Sequence, residues 1–321
     1  MADADAAAPL IEVGNLAVAF ANPNRRAGEP ATFRAVDDVT FSVRAGEAFG
    51  IVGESGSGKT TLGKTMLRLY RPQAGTIRYA GADITTQSDA GLRPFRRELQ
   101  MIFQDPLSSF NPRVRIGQAL ALPLRMHKLC APADIDGKVA RLLARVGLAL
   151  RFKERYPHEM SGGQLQRVAI ARVLALRPRL IVADEPVSKL DVSVRAQILN
   201  LFRDVQQDTG VALVFVTHDL RVARYLCDRI AVMFFGRLVE IGPTADIFAR
   251  PRHPYTRQLL ATIGDRAQSA AAADPAPPAD AAGCRYRSRC AHADATCGQH
   301  VPRLVAFAAE RHVACHHFEK F

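Results

Sequence analysis

The sequence predicts an α/β fold: a largely parallel sheet covered by helices, a helical subdomain inserted into it, and a small Cys-rich C-terminal extension. Three observations carry that expectation. Apolar runs of strand length alternate with stretches of helical spacing. The stretch near 106–175 is helical with no strand in it. Beyond an Ala/Pro-rich segment, the last part of the chain then gathers four of the six cysteines and five of the nine histidines.

In chain order, 10–20 alternates weakly and reads as a strand, and 22–30, with Pro, Gly and polar residues, as a loop. Val39–Val43 and Ala48–Val52 are strands, the second ending in a Gly-rich turn. Leu62, Met66 and Leu69 give 59–69 helical spacing. A hairpin is expected at 76–84 and a short strand at 99–103. Leu120, Leu124, Leu142, Leu143 and Val146 make 116–146 helical. Another helix follows Gln164, then a buried-type strand at 179–183, a helix at 194–207 and a strand at 211–217. Around 266–283 the composition shifts to Ala, Pro and Asp, which has nothing to bury and reads as a linker. No internal repeat is present.

Composition narrows the functional classes. The 321 residues are 48% hydrophobic, enough for a sizeable core and too much for a wholly disordered chain. The longest strongly apolar runs, 211–216 and 230–235, fall far short of the roughly 20 residues a membrane span needs. The acidic, Ala-rich start, Met1 to Pro9, does not resemble a signal peptide, so a cytosolic location is expected. The net charge of +12 suits an anionic partner, but the arginines are dispersed. A solvated basic surface with one phosphate site is the expectation, rather than a nucleic-acid groove.

That phosphate site is legible. Gly53-Glu54-Ser55-Gly56-Ser57-Gly58-Lys59-Thr60 matches G-x-x-x-x-G-K-[ST] between a strand and a helix. Its glycines let backbone N–H groups turn inward, and the helix N-terminus behind them, which continues with Thr61, favours an anion. Lys59 is placed to reach the β- and γ-phosphates and the Thr60 hydroxyl to ligate Mg²⁺. An acidic partner is expected at the end of another buried strand, and Leu180-Ile-Val-Ala-Asp184-Glu185 supplies it. Asp184 would hold Mg²⁺ through its water shell, and Glu185 would polarise a water toward the γ-phosphate.

Ser161-Gly162-Gly163-Gln164 opens the next helix. With the phosphate loop before it and Asp184-Glu185 after it, this order resembles the ATP-binding cassette (ABC) family over roughly 10–263. The resemblance implies the P-loop ABC ATPase fold: a mixed sheet core with RecA-like parallel strands and an inserted helical subdomain, here about 106–175, followed by a linker over 264–283 and a Cys-rich extension over 284–321. In that family two cassettes close head to tail, so that Ser161, Gly162, Gly163 and Gln164 would contact the γ-phosphate held by a partner's loop. The resemblance places Gln104 as the link between Mg²⁺, attacking water and helical subdomain, Asp191 as the coupler across the dimer, and His218 as the switch histidine. Glu185, His218 and Gln104 thus form the expected catalytic set, with Thr60, Gln104 and Asp184 around the metal. Phe20 is the choice for stacking on adenine, and Phe33 the alternative.

The segments 103–112, Tyr156-Pro-His158, 183–188 and Pro251-Arg-His-Pro-Tyr-Thr256, with the cysteine tail, resemble the ATPases of dipeptide and oligopeptide importers. That similarity implies a second, usually non-identical ATPase subunit, two membrane permeases and an extracytoplasmic solute-binding protein, with the chain peripheral on the cytoplasmic membrane face. No nucleic-acid partner is expected. A soluble cassette acting on ribosomes or DNA would suit the charge, but one cassette per chain and the lack of heptads between Lys59 and Ser161 disfavour it. Two departures stand out: Lys189 brings a charge where the family usually has a small residue, expected to tune pairing with a non-identical partner, and Leu165 replaces a usual polar residue, with little expected consequence.

Cys284-x5-Cys290-x6-Cys297-x17-Cys315 leaves three metal-chemical readings. Disulfides are disfavoured in a chain expected to be cytosolic. A zinc site usually has tighter Cys pairs, whereas a [4Fe–4S] cluster tolerates wider spacing; unliganded thiols are the third. The spacing resembles the extension of peptide-importer ATPases in which such clusters are found, so a [4Fe–4S] cluster is the expectation and Zn²⁺ the alternative. The histidines of the tail could compete as ligands. Cys130 and Cys227, isolated, read as packing residues.

Overall fold

The computed structural model describes residues 8–22, 31–262 and 282–321. Most of the expected loop at 22–30 and of the linker at 264–283 lies outside the described residues. The chain divides into two units, Met1–Gln87 with Val214–Phe321, and Ser88–Leu213.

In the first unit, Pro9–Ala21 pairs antiparallel with Thr32–Arg44 on one side and Ala74–Tyr79 on the other, with Phe20 opposite Phe33 and Ile11 opposite Tyr79. The sequence marks only 39–43 of the second strand, because its first half is largely exposed and carries no buried alternation. A second sheet of this unit runs, in spatial order, Val305–Ala308, Arg311–Val313, Arg237–Pro243, Arg229–Phe234, Ala48–Val52 and Ala212–Thr217. Ala48–Val52 lies parallel to Arg229–Phe234, with Ile51 opposite Ala231. All five of its residues are buried, as expected of a strand covered on both faces. The expected hairpin forms at Ala74–Tyr79 and Ala82–Asp83. The Cys-rich extension does not stand apart from this sheet: Arg311–Val313 adds to the edge of Arg237–Pro243, with Ile241 opposite His312.

In the second unit, Leu99–Ile102 pairs parallel with Leu180–Asp184, Met101 opposite Val182. The helices Ile116–Met126, Ile135–Arg145 and Gly162–Leu174 lie between these strands in the chain and bury Leu120, Leu124, Val139, Leu143 and Val168. The single helical run expected over 116–146 is two helices. Lys128 takes a left-handed φ of 49°, and Pro132, lacking an N–H, starts a new turn, so the chain reverses there. Arg167 ties the end of the second of these helices down by donating to the Val146 carbonyl at 2.6 Å. Val192–Thr209 completes the unit and ends at Gly210.

Candidate functional site

In the first unit, residues 53–58 link the buried strand Ala48–Val52 to the helix Lys59–Met66. Two glycines are required by close approach: a Cβ on Gly53 would lie 2.2 Å from the Met233 carbonyl oxygen, and one on Gly58, at φ +101°, 2.0 Å from that of Ala35. The loop is therefore drawn tight at these two points, and a side chain at either would require the backbone to move. Lys59 is only 4% exposed. Its Nζ donates to the carbonyls of Gly53 at 2.8 Å and Glu54 at 2.7 Å and lies 3.3 Å from Ser57 Oγ. The Ser57 carbonyl accepts from Gly236 N–H at 2.8 Å, and Ser57 N–H donates to the Glu54 carbonyl. The helix carries no acidic residue in its first turn, so its N-terminus keeps its attraction for an anion. Thr60 is exposed on that turn, with Thr61 half-buried beside it; Ser55 and Gly56 are exposed at the tip of the loop.

Two further expected residues belong to the same unit. His218 is exposed at the end of Ala212–Thr217, the neighbour of Ala48–Val52 in the sheet. The next residue, Asp219, caps a helix by accepting from Arg221 N–H at 2.9 Å. Phe20 and Phe33, the alternatives for the base-stacking aromatic, share one cluster, their ring centres 5.9 Å apart, and Tyr70 meets Phe20 edge-on at 5.5 Å. Phe33 is 48% exposed, which leaves it a face to offer.

In the second unit, Asp184 closes the buried strand Leu180–Asp184 and is itself buried. Glu185 follows with φ +44°, a left-handed conformation that costs a non-glycine residue about 1–2 kcal/mol and turns its side chain away from the strand direction. Its Oε2 accepts a hydrogen bond from Gln104 Nε2 at 2.9 Å, and its carbonyl accepts from Ser188 N–H and Oγ–H. Ser161 caps Gly162–Leu174: its Oγ accepts from Gln164 N–H at 3.3 Å, while Gln164 Oε1 accepts from Ser161 N–H at 3.1 Å. This reciprocal box fixes the entry of the helix. Gly163 is buried, and a Cβ there would lie 2.3 Å from Val194 Cγ1. It lets two helices approach, whereas Gly162 is exposed and open to a visitor. Lys189 and Asp191, just ahead of the helix Val192–Thr209, are exposed. Leu165, by contrast, is core.

The cysteines form a third feature, again in the first unit. Cys284, Cys290, Cys297 and Cys315 line one small cavity with His292, His316 and His317. All six cysteines of the chain are free thiols. Burial raises the thiols of Cys284 and Cys297, and pushes Cys315 up to about 11. Such thiols give up their protons readily only to a positive centre. Among the described residues the sole group of three or more ligand atoms lying within 4.8 Å of one another is Asp294, Cys297 and His317. The four sulfurs are therefore not gathered as closely as the ligands of one tetrahedral ion. Cys227 is buried and alone, its thiol driven up by burial.

Sequence reasoning assigned no role to the segment Pro251–Thr256, although it marked it. His253 is 1% exposed and caps the helix Pro254–Ala261, its Nδ1 accepting from Tyr255 N–H at 3.0 Å. The His-Pro-Tyr order, a capping side chain, a helix-starting proline and a large aromatic, was the available signal.

Residues 36–188 match the family described as ABC transporter, and residues 239–297 the family described as oligopeptide/dipeptide transporter, C-terminal region. The putative oligopeptide transport ATP-binding protein YkfD of Bacillus subtilis is 42% identical over 318 residues, covering 96% of this chain and 95% of its own. The probable peptide ABC transporter ATP-binding protein y4tS of Sinorhizobium fredii is 46% identical over 290 residues, with 88% and 82% covered. Among solved structures, an ATP-binding cassette in a dimeric post-hydrolysis state with ADP and phosphate superposes with a TM-score of 0.66 at 28% identity, covering 73% of this chain and 98% of that one. The cbiO1 protein of Clostridium perfringens, part of an ABC transporter complex, gives 0.64 at 27%, with 75% and 91% covered.

Proposed function

The chain belongs to the ABC transporter family, and from that premise we propose that it is the ATP-hydrolysing subunit that energises an importer of dipeptides, oligopeptides or related small solutes. One observation carries the reading: a single chain joins a cassette to a C-terminal region of the oligopeptide/dipeptide transporter type. The apolar surface agrees with a docked membrane partner. Leu122 and Met126, one helical turn apart, are 56% and 71% exposed. No helix among the described residues is long and apolar enough to cross a membrane, so the solute path would belong to other subunits.

In this reading the loop amides, Lys59 and the helix N-terminus hold the ATP phosphates, and Phe20 or Phe33 stacks on the base. Thr60, Asp184 and Gln104 would hold Mg²⁺, which supplies charge neutralisation on the phosphoryl oxygens. Glu185 orients the attacking water, and the 2.9 Å bond from Gln104 holds its carboxylate ready. His218 donates toward the γ-phosphate as charge develops. Ser161, Gly162, Gly163 and Gln164 complete the site of a partner ATPase subunit, a non-identical one, and Asp191 couples the two sites. Lys189, exposed in the chain beside Asp191, biases that pairing. Two permeases and an extracytoplasmic solute-binding protein complete the assembly, with this chain peripheral on the cytoplasmic face.

In this reading Cys284, Cys290, Cys297 and Cys315 would hold a [4Fe–4S] cluster, which would tie together the segments that carry them. The chain's own contribution is the cavity and the backbone that sets it, Cys284 N–H donating to the Cys297 carbonyl at 2.7 Å and His317 N–H to Cys315 Sγ at 3.4 Å.

The function is tested by co-reconstituting the chain with candidate permeases and a second ATPase subunit. ATPase activity should rise when a peptide-loaded binding protein is added and should need both ATPase subunits. Basal activity that stays indifferent to peptides and to the permeases would remove the importer reading.

A further inference from the structure

The phosphate loop is held by the helix Pro254–Ala261 and by the Cys-rich extension together. Glu54, the second residue of the loop, is gripped at three points. Its backbone N–H donates to the hydroxyl of Tyr255 at 2.9 Å. Its carbonyl accepts from Lys59 Nζ at 2.7 Å. Its carboxylate is paired with Arg289, Nη1 to Oε2 at 3.2 Å. Arg289 is the residue immediately before Cys290.

Of these contacts the Tyr255 bond is buried, and the Arg289 pair joins a mostly buried guanidinium to a carboxylate side chain 41% exposed. Tyr255 is fully buried, its ring packed 4.5 Å from Phe234 and 5.6 Å from Tyr286. Tyr286, two residues after Cys284, donates its hydroxyl hydrogen to Gln258 Oε1 at 2.6 Å on the same helix as Tyr255. The Arg289 side chain is 15% exposed, and its guanidinium lies 5.8 Å from the centre of the Phe234 ring. A second arm leaves the same cysteine segment: Arg285, directly after Cys284, donates to the Phe235 carbonyl and pairs with Asp37. The neighbouring Gly236 N–H bonds the Ser57 carbonyl of the loop. Residues flanking two of the four cysteines thus reach the loop by two routes.

We propose that Arg289 and Tyr255 are positioning residues for the phosphate loop, holding Glu54 so that order around the cysteine-lined cavity sets the affinity for nucleotide phosphates. The proposal rests on the reading of residues 53–60 as the nucleotide site. Two physical effects act together. A carboxylate beside a polyphosphate repels it, and the Arg289 charge offsets that repulsion. The bonds on either side of Glu54 fix its two peptide planes, and with them the carbonyl that orients the Lys59 ammonium. Releasing the cysteine segment frees Arg289 directly and loosens Tyr255 through Tyr286, which packs against it.

The test uses the full chain, purified anaerobically, with affinity read by a fluorescent ATP analogue. Arg289→Met should weaken binding about three- to ten-fold, the range for a part-buried charge pair, with Arg289→Lys recovering part of it. Tyr255→Phe should weaken it in the same direction. Cys290→Ser should also weaken binding, but add little in an Arg289→Met background, because both act through Glu54. Should Cys290→Ser fail to fold, the Arg289→Met effect should shrink in a Glu54→Gln background, where no carboxylate needs offsetting. A purely architectural role would lower the melting temperature while leaving the affinity of the folded protein unchanged. Unchanged affinity in Arg289→Met and Tyr255→Phe, or fully additive losses in the double variants, would overturn the proposal. Lys59→Ala separates it from the reading beneath: if that variant still binds ATP normally, the nucleotide site itself is misassigned, whereas its loss of binding beside an unaffected Arg289→Met overturns only the coupling.

Discussion

Gln104 Nε2 donates to Glu185 Oε2 at 2.9 Å, joining two residues that are far apart in sequence. The amide, a neutral donor, fixes the position of the Glu185 carboxylate. Its left-handed backbone places it beyond the end of the strand, while Asp184 stays buried at the end of it. Two adjacent carboxylates are thereby given different surroundings.

Glu185→Gln should therefore leave ATP binding intact and reduce turnover by about 10²–10⁴-fold, the range for losing a positioned general base. Steady-state phosphate release checks the rate, and size-exclusion chromatography with ATP should show the variant trapped as a closed dimer. Wild-type turnover would relieve Glu185 of the role.

Gly163 and Gly162 should respond differently to alanine. The 2.3 Å approach to Val194 makes Gly163→Ala an overpacking change, expected to cost about 1–3 kcal/mol, read by denaturant unfolding. Val194→Ala in the same chain should return part of that loss. At Gly162 the nearest atom to an added Cβ is Leu190 Cδ2 at 3.6 Å, so Gly162→Ala should be close to neutral in stability and show its effect, if the signature reading holds, in the assembled ATPase.

His253 should make the fold acid-sensitive. Burial drives its pKa down to about 3, against about 6.5 in an unfolded chain. The unfolded state then takes up a proton as pH falls through 6.5 while the folded state does not, so stability is lost progressively from pH 6.5 down toward 3. His253→Asn keeps a capping acceptor and removes the titration. Its melting temperature should fall less than that of the wild type between pH 7 and pH 5; parallel curves would contradict this.

The cysteine cavity predicts a brown protein. Purified anaerobically, the chain should carry iron and acid-labile sulfide near four each, and lose both on Cys297→Ser. A colourless preparation loaded with zinc would replace the cluster by a single ion, for which Asp294, Cys297 and His317 are the nearest grouped ligands.

Much of this was legible before any coordinates because the motifs are local. The loop 53–60, the strand ending at Asp184 and the cap at Ser161 each contain their own structural logic, a glycine where the backbone must approach, a buried strand, a serine before a helix. What the sequence hid was long-range. The strand Arg237–Pro243 carries Glu240 at 0% exposure, a carboxylate in a core strand whose partners, Arg311 and the N–H groups of Arg252 and His253, come from outside that strand. The second strand of the first sheet was read too short because its outer half is solvated. Arg289 and Tyr255 lie more than 200 residues from Glu54 (235 and 201 respectively), and no periodicity relates them. In the tail, spacing suggested a shared ligand set for the four cysteines but could not reveal that the segment completes a sheet edge.

That edge has a bearing on how the protein must be handled. With Arg311–Val313 in place, the outermost core strand has a partner and Glu240 a counter-charge. A shortened chain ending ahead of Cys284, tempting for crystallisation, would bare a raw hydrogen-bonding rim and strand an interior anion in the same stroke. Such a fragment is expected to clump rather than behave as a minimal motor, which makes the tail a solubility safeguard as well as an ornament of the cysteines.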